Sequence, residues 1–342
     1  MRGKILIWVL LLGGGLLFAA DTAQGAEPGA APYTIRIATI APEGSYWSDF
    51  FQKARMYVES RTRGRVKIIW YMSGVMGDEP EVIGKIRAGR LEGAVLTIVG
   101  LGMIDPAFRA TMLPFLLRDY EEADFLLDSL RPRFESLLAV KGFLLMGFTE
   151  VGFNRLFTPV PIRSRKDFPG LKMWGWKGEK LIDMIFRDDL GLKNVVPLTL
   201  YEVKNSLEKG EINAYYAPCY AQIGLQWYRH ARYMSDFTMG YTPAVFVLDQ
   251  RFAAGLPGDI RSILKQAFDF ILKPLRQVIR EEEEKACQGL IKRGIIRTKS
   301  SPEFLAEMTN HFQKIHQKYA GTEYPLDMLQ EINDQLKEFR AR

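Results

Sequence analysis

Apolar and polar positions along the chain switch between a two-residue and a 3.6-residue period. Residues 34–41 alternate as a strand does and open into the turn Pro42-Glu43-Gly44-Ser45. From Trp47 the apolar positions fall at 47, 50, 51, 54, 57 and 58, the spacing of one helix face, and Gly64 closes that helix. Residues 66–72 are β-branched and aromatic and predict a second strand. A Gly-rich turn at 73–79 leads into a helix that runs through Ala88 and stops at Gly89, and residues 94–99 predict a third, buried strand.

The same grammar returns later in the chain. Strands are predicted at 170–176, 195–198 and 212–216, with helices at 178–188, 201–209 and 220–231. Two long segments, 142–157 and 233–248, join the halves. A long helix follows over 259–293, with Pro274 expected to kink it, and the tail from 302 to 342 reads as two amphipathic helices separated near 321–325. Alternating strands and helices predict an α/β fold with mostly parallel sheets. A chain that crosses twice between two α/β lobes predicts a hinged clamp, with ligand at the carboxyl ends of the strands. The expected division is 33–150 with 242–275 as the first α/β domain, 151–241 as the second, and 276–342 as the long spanning helix and C-terminal helices.

Composition narrows the function. The 342 residues are 47% hydrophobic and 25% charged, a globular balance with room for two domains. The 46 basic and 40 acidic residues give +6, scattered without a basic stripe, which argues against nucleic acid as a partner. With three His and two Cys, a dedicated zinc site or iron–sulfur cluster is not expected, and no cofactor is implied.

The N-terminus reads as an address. Arg2 and Lys4 precede an apolar run over 5–20, and Ala23-Gln24-Gly25 offers a small-x-small cleavage site. Residues 1–25 are therefore expected to be a signal peptide, cleaved near Gly25, and the protein to be periplasmic and not integral to the membrane. The alternative is an uncleaved anchor, for which the run is short against the roughly 20 residues a span needs. In an oxidising compartment Cys219 and Cys287 have the chemistry to pair. Their separation in sequence favours two buried free thiols, and pairing stays open.

Catalytic constellations are missing from the sequence. It contains no Gly-x-Ser-x-Gly elbow, no phosphate-binding loop and no His-Glu-x-x-His. His230, His311 and His316 read as surface or satisfied side chains. The pairs Asp78-Glu79 and Asp188-Asp189 are sequence neighbours, which does not make them an acid/base couple. No catalytic or metal-binding residue is assigned.

The segments Ala41 to Trp47 (APEGSYW), Arg61 to Lys67 (RTRGRVK) and Gly77-Asp78-Glu79 are similar to those of the tripartite ATP-independent periplasmic (TRAP) solute-binding proteins of the dicarboxylate-binding type. The similarity continues through Leu113 to Leu116 (LPFL), Asp167 to Lys172 (DFPGLK), Tyr201-Glu202, Leu207 to Gly210 (LEKG) and Leu256-Pro257. The resemblance implies two α/β domains, a long helix across both, and a ligand enclosed by hinge closure. It also implies a membrane permease with two components, driven by an ion gradient and not by ATP. A periplasmic enzyme or a sensor subunit using the same clamp is the alternative.

Departures from the family pattern fall at the implied site. The family's carboxylate-pairing Arg, two residues after Gly-Leu-Lys, is Trp174 here. Its Asn before Pro is Ala217, and its Arg after Gly-Phe is Asn154, so that Arg155 serves only after a one-residue slip. A buried carboxylate without its guanidinium is costly. The expected ligand is therefore a small organic molecule more hydrophobic or aromatic than a simple dicarboxylate, with an acidic group left possible through Arg155. Trp174, Trp176, Tyr215 and Tyr216 would face Tyr46 and Trp47, with hydroxyl and indole N–H groups as polar handles. Of the adjacent tyrosines, Tyr216 is the one expected to touch ligand. Trp47 and Trp176 fit core packing equally well, and Glu79 fits either a ligand bond or the cap of the helix it starts.

Overall fold

The computed structural model describes residues 32–342; the signal peptide expected at 1–25 lies outside them. The chain enters on β1 (Tyr33–Thr39), whose core-facing residues Ile35 and Ile37 are fully buried. Helix α1 (Tyr46–Arg61) starts where the Ser45 side chain accepts from the Ser48 amide, and it buries Trp47, Phe51, Ala54 and Val58, the predicted stripe. Strand β2 (Val66–Tyr71) and helix α2 (Glu79–Arg87), capped by Asp78, also fall where the pattern put them. Strand β3 (Gly93–Thr97) ends earlier than expected. The Thr97 hydroxyl accepts from the Val99 amide, so Ile98 and Val99 belong to a new helix, α3 (Ile98–Ile104). Helix α4 (Tyr120–Val140), begun by an Asp119 cap, was not read from the sequence.

The first crossing is β4 (Phe143–Thr158). Beyond it lie β5 (Lys172–Trp176), α5 (Lys180–Met184), β6 (Asn194–Leu198), α6 (Val203–Glu208), β7 (Tyr215–Ala217) and α7 (Cys219–Gly224). The single helix expected over 220–231 is broken at Gln226, whose φ of 61° is left-handed, and a separate 3-10 turn follows over Trp227–His230. Strand β8 (Tyr233–Ser235) leads into the second crossing, β9 (Gly240–Asp249). After α8 (Gln250–Gly255) comes α9 (Gly258–Lys292), unbroken through Pro274 and about 52 Å long at 1.5 Å per residue. Strand β10 (Ile296–Thr298) and helices α10 (Pro302–Tyr319) and α11 (Leu326–Arg340) complete the chain.

The larger sheet runs β10-β8-β4-β9-β3-β1-β2, with β7 also paired to β4, and β5-β6 form a second, two-stranded sheet. The expectation of mostly parallel strands is corrected to a mixed arrangement. β1 pairs parallel with β2 and β3, but β4 and β9, the two crossings, run antiparallel to each other and to their neighbours β7, β8 and β3. Two strands that cross between lobes in opposite directions must pair antiparallel when they lie side by side.

Helix α9 packs along α1, β4 and α7. Its Arg280 donates Nε to Glu150 Oε1 and Nη2 to Glu150 Oε2, each at 2.8 Å. The same guanidinium donates to both Asp124 oxygens at 2.7 Å. Tyr241 of β9 donates its hydroxyl to Glu150 at 2.7 Å. Glu150 is fully buried at a register shift in β4, between Glu150 and Gly152. Gly152 has φ 118°, a conformation that favours glycine.

Cys219 and Cys287 are bridged, at a sequence separation of 68 and with 5.2 Å between their Cα atoms. This corrects the expectation of free thiols. Sequence separation says nothing about distance once α7 is laid against α9. The adjoining Glu283 of α9 accepts from the Cys219 and Tyr220 amides at 2.7 and 2.8 Å, so the start of α7 is pinned both covalently and by charge.

Two outcomes follow for stability. Reducing the bridge releases a closed loop whose entropy is worth about 4 kcal/mol by the chain-entropy relation, so melting in the presence of reductant falls by several degrees. Arg280→Met leaves Glu150 buried without its cation and costs about 3–5 kcal/mol in urea denaturation. A loss within experimental error of zero contradicts the role assigned to that pair.

Candidate functional site

A cavity of about 100 Å³ lies where β1, β3, β4 and β9 meet β5, β7 and α7. One side is made by Ile40, Pro42, Trp47 and Phe51, and the other by Trp174, Trp176, Leu200, Tyr216 and Trp227. The crossing strands provide the floor through Thr149, Val151, Asn154, Thr242 and Ala244. Contacts across the opening close it. Trp176 Nε1 donates to Asp78 Oδ2 at 3.4 Å, the Tyr46 amide donates to Tyr220 Oη at 3.0 Å, and Arg109 Nε reaches Glu179 at 3.4 Å. Tyr201 lies so close over Gly74 that a Cβ there would sit 1.8 Å from its hydroxyl.

The aromatic wall is a packed set. Trp174 stacks on Tyr216 with centroids 5.1 Å apart and meets Trp227 edge-on at 5.2 Å. Period-two alternation on β5 places Trp174 and Trp176 on one face. Tyr215 faces the other way, fully buried, with its hydroxyl donating to Gln222 Oε1 at 2.6 Å.

The structure brings six of the eight expected site residues to this cavity: Trp47, Asn154, Trp174, Trp176, Tyr216 and Ala217. It does not bring the other two. Arg155 lies on the opposite face of β4 from Asn154, and its Nη1 donates to the carbonyls of Ser235 and Asp236 at 3.3 and 2.7 Å. Strand alternation forbids the one-residue slip. Glu79 is corrected as well: it does not itself line the cavity and does not cap the helix it starts. Its carboxylate accepts from the Thr97 amide, the Thr97 hydroxyl and the Gly100 amide at 2.6, 2.8 and 2.6 Å, pinning the start of α3. Tyr46 lies at the rim, against Tyr220.

The indole handles are committed to the protein. Trp47 Nε1 donates to the Glu150 carbonyl and Trp174 Nε1 to the Leu198 carbonyl, both at 3.1 Å, in addition to the Trp176 bond to Asp78. Asn154 Nδ2 donates to Thr242 Oγ1 at 2.7 Å. Thr149, Thr242 and Trp227 were missed in the sequence. The available signal was Thr149, a polar side chain ending the apolar run Phe143 to Phe148 on a crossing strand. Among the described residues, the cavity lining contains no Lys, Arg or His. Its one charged side chain, Glu150, is held by Arg280 and Tyr241. The three histidines lie elsewhere: His316 bonds the Pro114 carbonyl, His311 bonds that of Asp189, and His230 ends a surface turn.

A two-lobed α/β clamp with a cavity at its crossing strands is the arrangement of a solute-binding receptor. The chain belongs to the bacterial extracellular solute-binding proteins, family 7, whose sequence profile matches residues 37–322. It is a solute-binding protein of the TRAP dicarboxylate-binding type. A solute-binding protein of Chromohalobacter salexigens is 30% identical over 158 residues, 46% of each chain. The C4-dicarboxylate-binding periplasmic protein of Rhodobacter capsulatus is 23% identical over 272 residues, 78% of each. Among solved structures, the sugar acid binding protein of Advenella mimigardefordensis in complex with galactonate superposes with a TM-score of 0.83 at 20% identity, over 90% of this chain and 99% of that one. The TRAP protein of Desulfovibrio salexigens with bound orotic acid gives 0.81 at 18% identity, over 90% and 99%. The Rhodobacter protein and the two solved structures are described with organic acids. They support the acidic element of the sequence-based ligand expectation and give no support to its hydrophobic element. Among the described residues no helix is long and apolar enough to cross a membrane.

Burial pushes the Glu79 carboxyl up to about 7, against the hydrogen bonds from Thr97 and Gly100 that favour its anion. Between the ordinary carboxyl range and that value, the folded chain holds a proton the unfolded chain has released. Stability contributed by this group therefore falls as pH rises through the window. Glu79→Gln removes the titration. Melting curves at pH 5 and pH 8 should show the wild type losing more stability than Glu79→Gln over that rise; equal losses contradict the assignment.

Proposed function

We propose that the protein is exported, that its leader is removed near Gly25, and that it carries a small organic acid to the membrane permease subunits of a TRAP-type transporter. The observation that carries this reading is the origin of the cavity walls: Trp47 and Phe51 come from one side of the crossing strands, and Trp174 and Tyr216 from the other. A solute touching both sides binds the closed form more tightly than the open one and shifts the population toward closure. We place the hinge in β4 and β9, between a first lobe of residues 33–150 with 242–275 and a second of 151–241. The register shift at Glu150 and Gly152 supports that placement.

The acids held by the relatives, galactonate and orotic acid, are the first candidates for this chain. A ring or flat carbon skeleton would lie against Trp174 and Tyr216, with its oxygens toward the hydroxyl and amide groups of the floor. Binding proceeds without chemistry on the ligand. In support, the lining has no Ser, Cys, His or Lys among the described residues, and the Glu150 carboxylate is occupied.

Native mass spectrometry of the exported protein is expected to show a small acid that is released unchanged on denaturation. Trp174→Ala, which removes the stacking surface, should weaken binding of that acid about tenfold by calorimetry while the protein still folds. Conversion of the bound molecule on incubation favours the enzyme reading. Tight succinate binding unaffected by Trp174→Ala removes the aromatic wall from the site.

A further inference from the structure

Thr149 lines the cavity and carries a buried hydroxyl that the protein leaves unanswered. The residue is wholly buried, and its Oγ1 has no hydrogen-bond partner. A buried hydroxyl in that state costs stability, and native structures rarely keep one unless something outside the chain bonds it. Its cavity neighbours are already engaged. Thr39 accepts from the Ala41 amide at 3.1 Å, Thr97 donates to Glu79 at 2.8 Å, and Thr242 accepts from Asn154 at 2.7 Å.

The sheet explains why Thr149 is left over. Ala244 of β9 pairs with Thr149 on one side and with Thr97 on the other, so the row Thr97, Ala244, Thr149 crosses three strands. All three residues line the cavity. The residue directly opposite Thr149 therefore has only a methyl group, which cannot bond the hydroxyl. The row thus carries two hydroxyls, one bonded to Glu79 and one without a partner.

We propose that Thr149 is the hydrogen-bonding anchor of the solute: its hydroxyl meets a carboxyl, carbonyl or hydroxyl oxygen, and recognition there runs through neutral groups in place of an ion pair. This rests on the receptor reading above and names how that receptor holds its ligand. A hydroxyl donating to a carboxylate oxygen makes a charge-assisted bond, which lets the site accept an acid with no guanidinium in its lining. Affinity built this way responds weakly to salt, because no solvent-screened ion pair contributes to it.

The test uses the full exported protein with two substitutions and a fixed panel of orotate, benzoate, benzamide, galactonate and succinate. Thr149→Val keeps the shape and removes the hydroxyl; Thr149→Ser keeps the hydroxyl. Without ligand, Thr149→Val should melt at or above the wild-type temperature, because an unpaired buried group has been removed. For the panel member that binds best, its calorimetric dissociation constant should rise about tenfold, the loss of one charge-assisted hydrogen bond, while Thr149→Ser stays within about twofold. Raising the salt concentration should leave the wild-type value within about twofold. A purely structural threonine would not separate a gain in ligand-free stability from a loss of affinity.

Unchanged affinity in Thr149→Val overturns the anchor, as does a steep fall of wild-type affinity with salt. If Trp174→Ala loses binding while Thr149→Val keeps it, the anchor fails and the receptor reading stands. If no panel member binds the wild type, the proposed ligand chemistry fails. If native mass spectrometry then also finds no retained small molecule, the receptor reading fails with it.

Discussion

Glu150 is buried without any exposed surface, at the point where the first crossing strand changes register. A carboxylate in that position is tolerable only with a cation and further hydrogen bonds, and Arg280 and Tyr241 supply them. The two partners come from different parts of the chain, the long helix and the second crossing strand. One buried ion pair, with the tyrosine bonded to it, thus fixes the positions of three elements that lie far apart in sequence, Glu150 and Arg280 by 130 residues. Trp47, at the start of α1, hangs from the Glu150 carbonyl through its indole N–H, so one wall of the cavity takes its position from the same residue. Arg280 also grips Asp124 of α4, which ties the outer helix layer to the crossing.

That arrangement accounts for the character of the site. The carboxylate that lines the cavity, Glu150, is paired with Arg280, and the Arg155 guanidinium of the same strand is turned to the carbonyls of Ser235 and Asp236. The lining that remains is aromatic, with hydroxyl and amide groups along the crossing strands. Such a surface discriminates by shape and by the placement of one or two oxygens, and has little long-range pull on charged solutes. The net charge of +6 is therefore a property of the exterior and says nothing about the ligand.

Much of the architecture was legible in the pattern of apolar positions because many elements are amphipathic: α1, α9 and the two tail helices each keep one buried stripe. Helix α3 was not legible. Six of its seven residues are buried, so it has no polar face to set a period, and its first residues read as a continuation of β3. Strand alternation placed Trp174 and Trp176 correctly on one face, and the same rule excludes Arg155. The cap made by Glu79 and the bridge between Cys219 and Cys287 depend on contacts between distant segments, which no local pattern encodes. Thr149 was visible as a polar residue in an apolar strand, but that its hydroxyl lacks a partner became apparent only with Ala244 opposite it.

The bridge changes the topology of the chain as well as its stability. Between Cys219 and Cys287 the backbone passes through β8, β9 and α8 and returns along most of α9, and the sulfur–sulfur bond makes this path a closed covalent ring. The ring contains one of the two crossing strands and most of the long helix, and α7, where it closes, contributes Ala221 to the cavity wall. Force that separates the lobes therefore acts on a loop with no free end. The second crossing strand lies inside that ring, so a strand that passes between the two halves of the fold is closed on itself by the bond between α7 and α9.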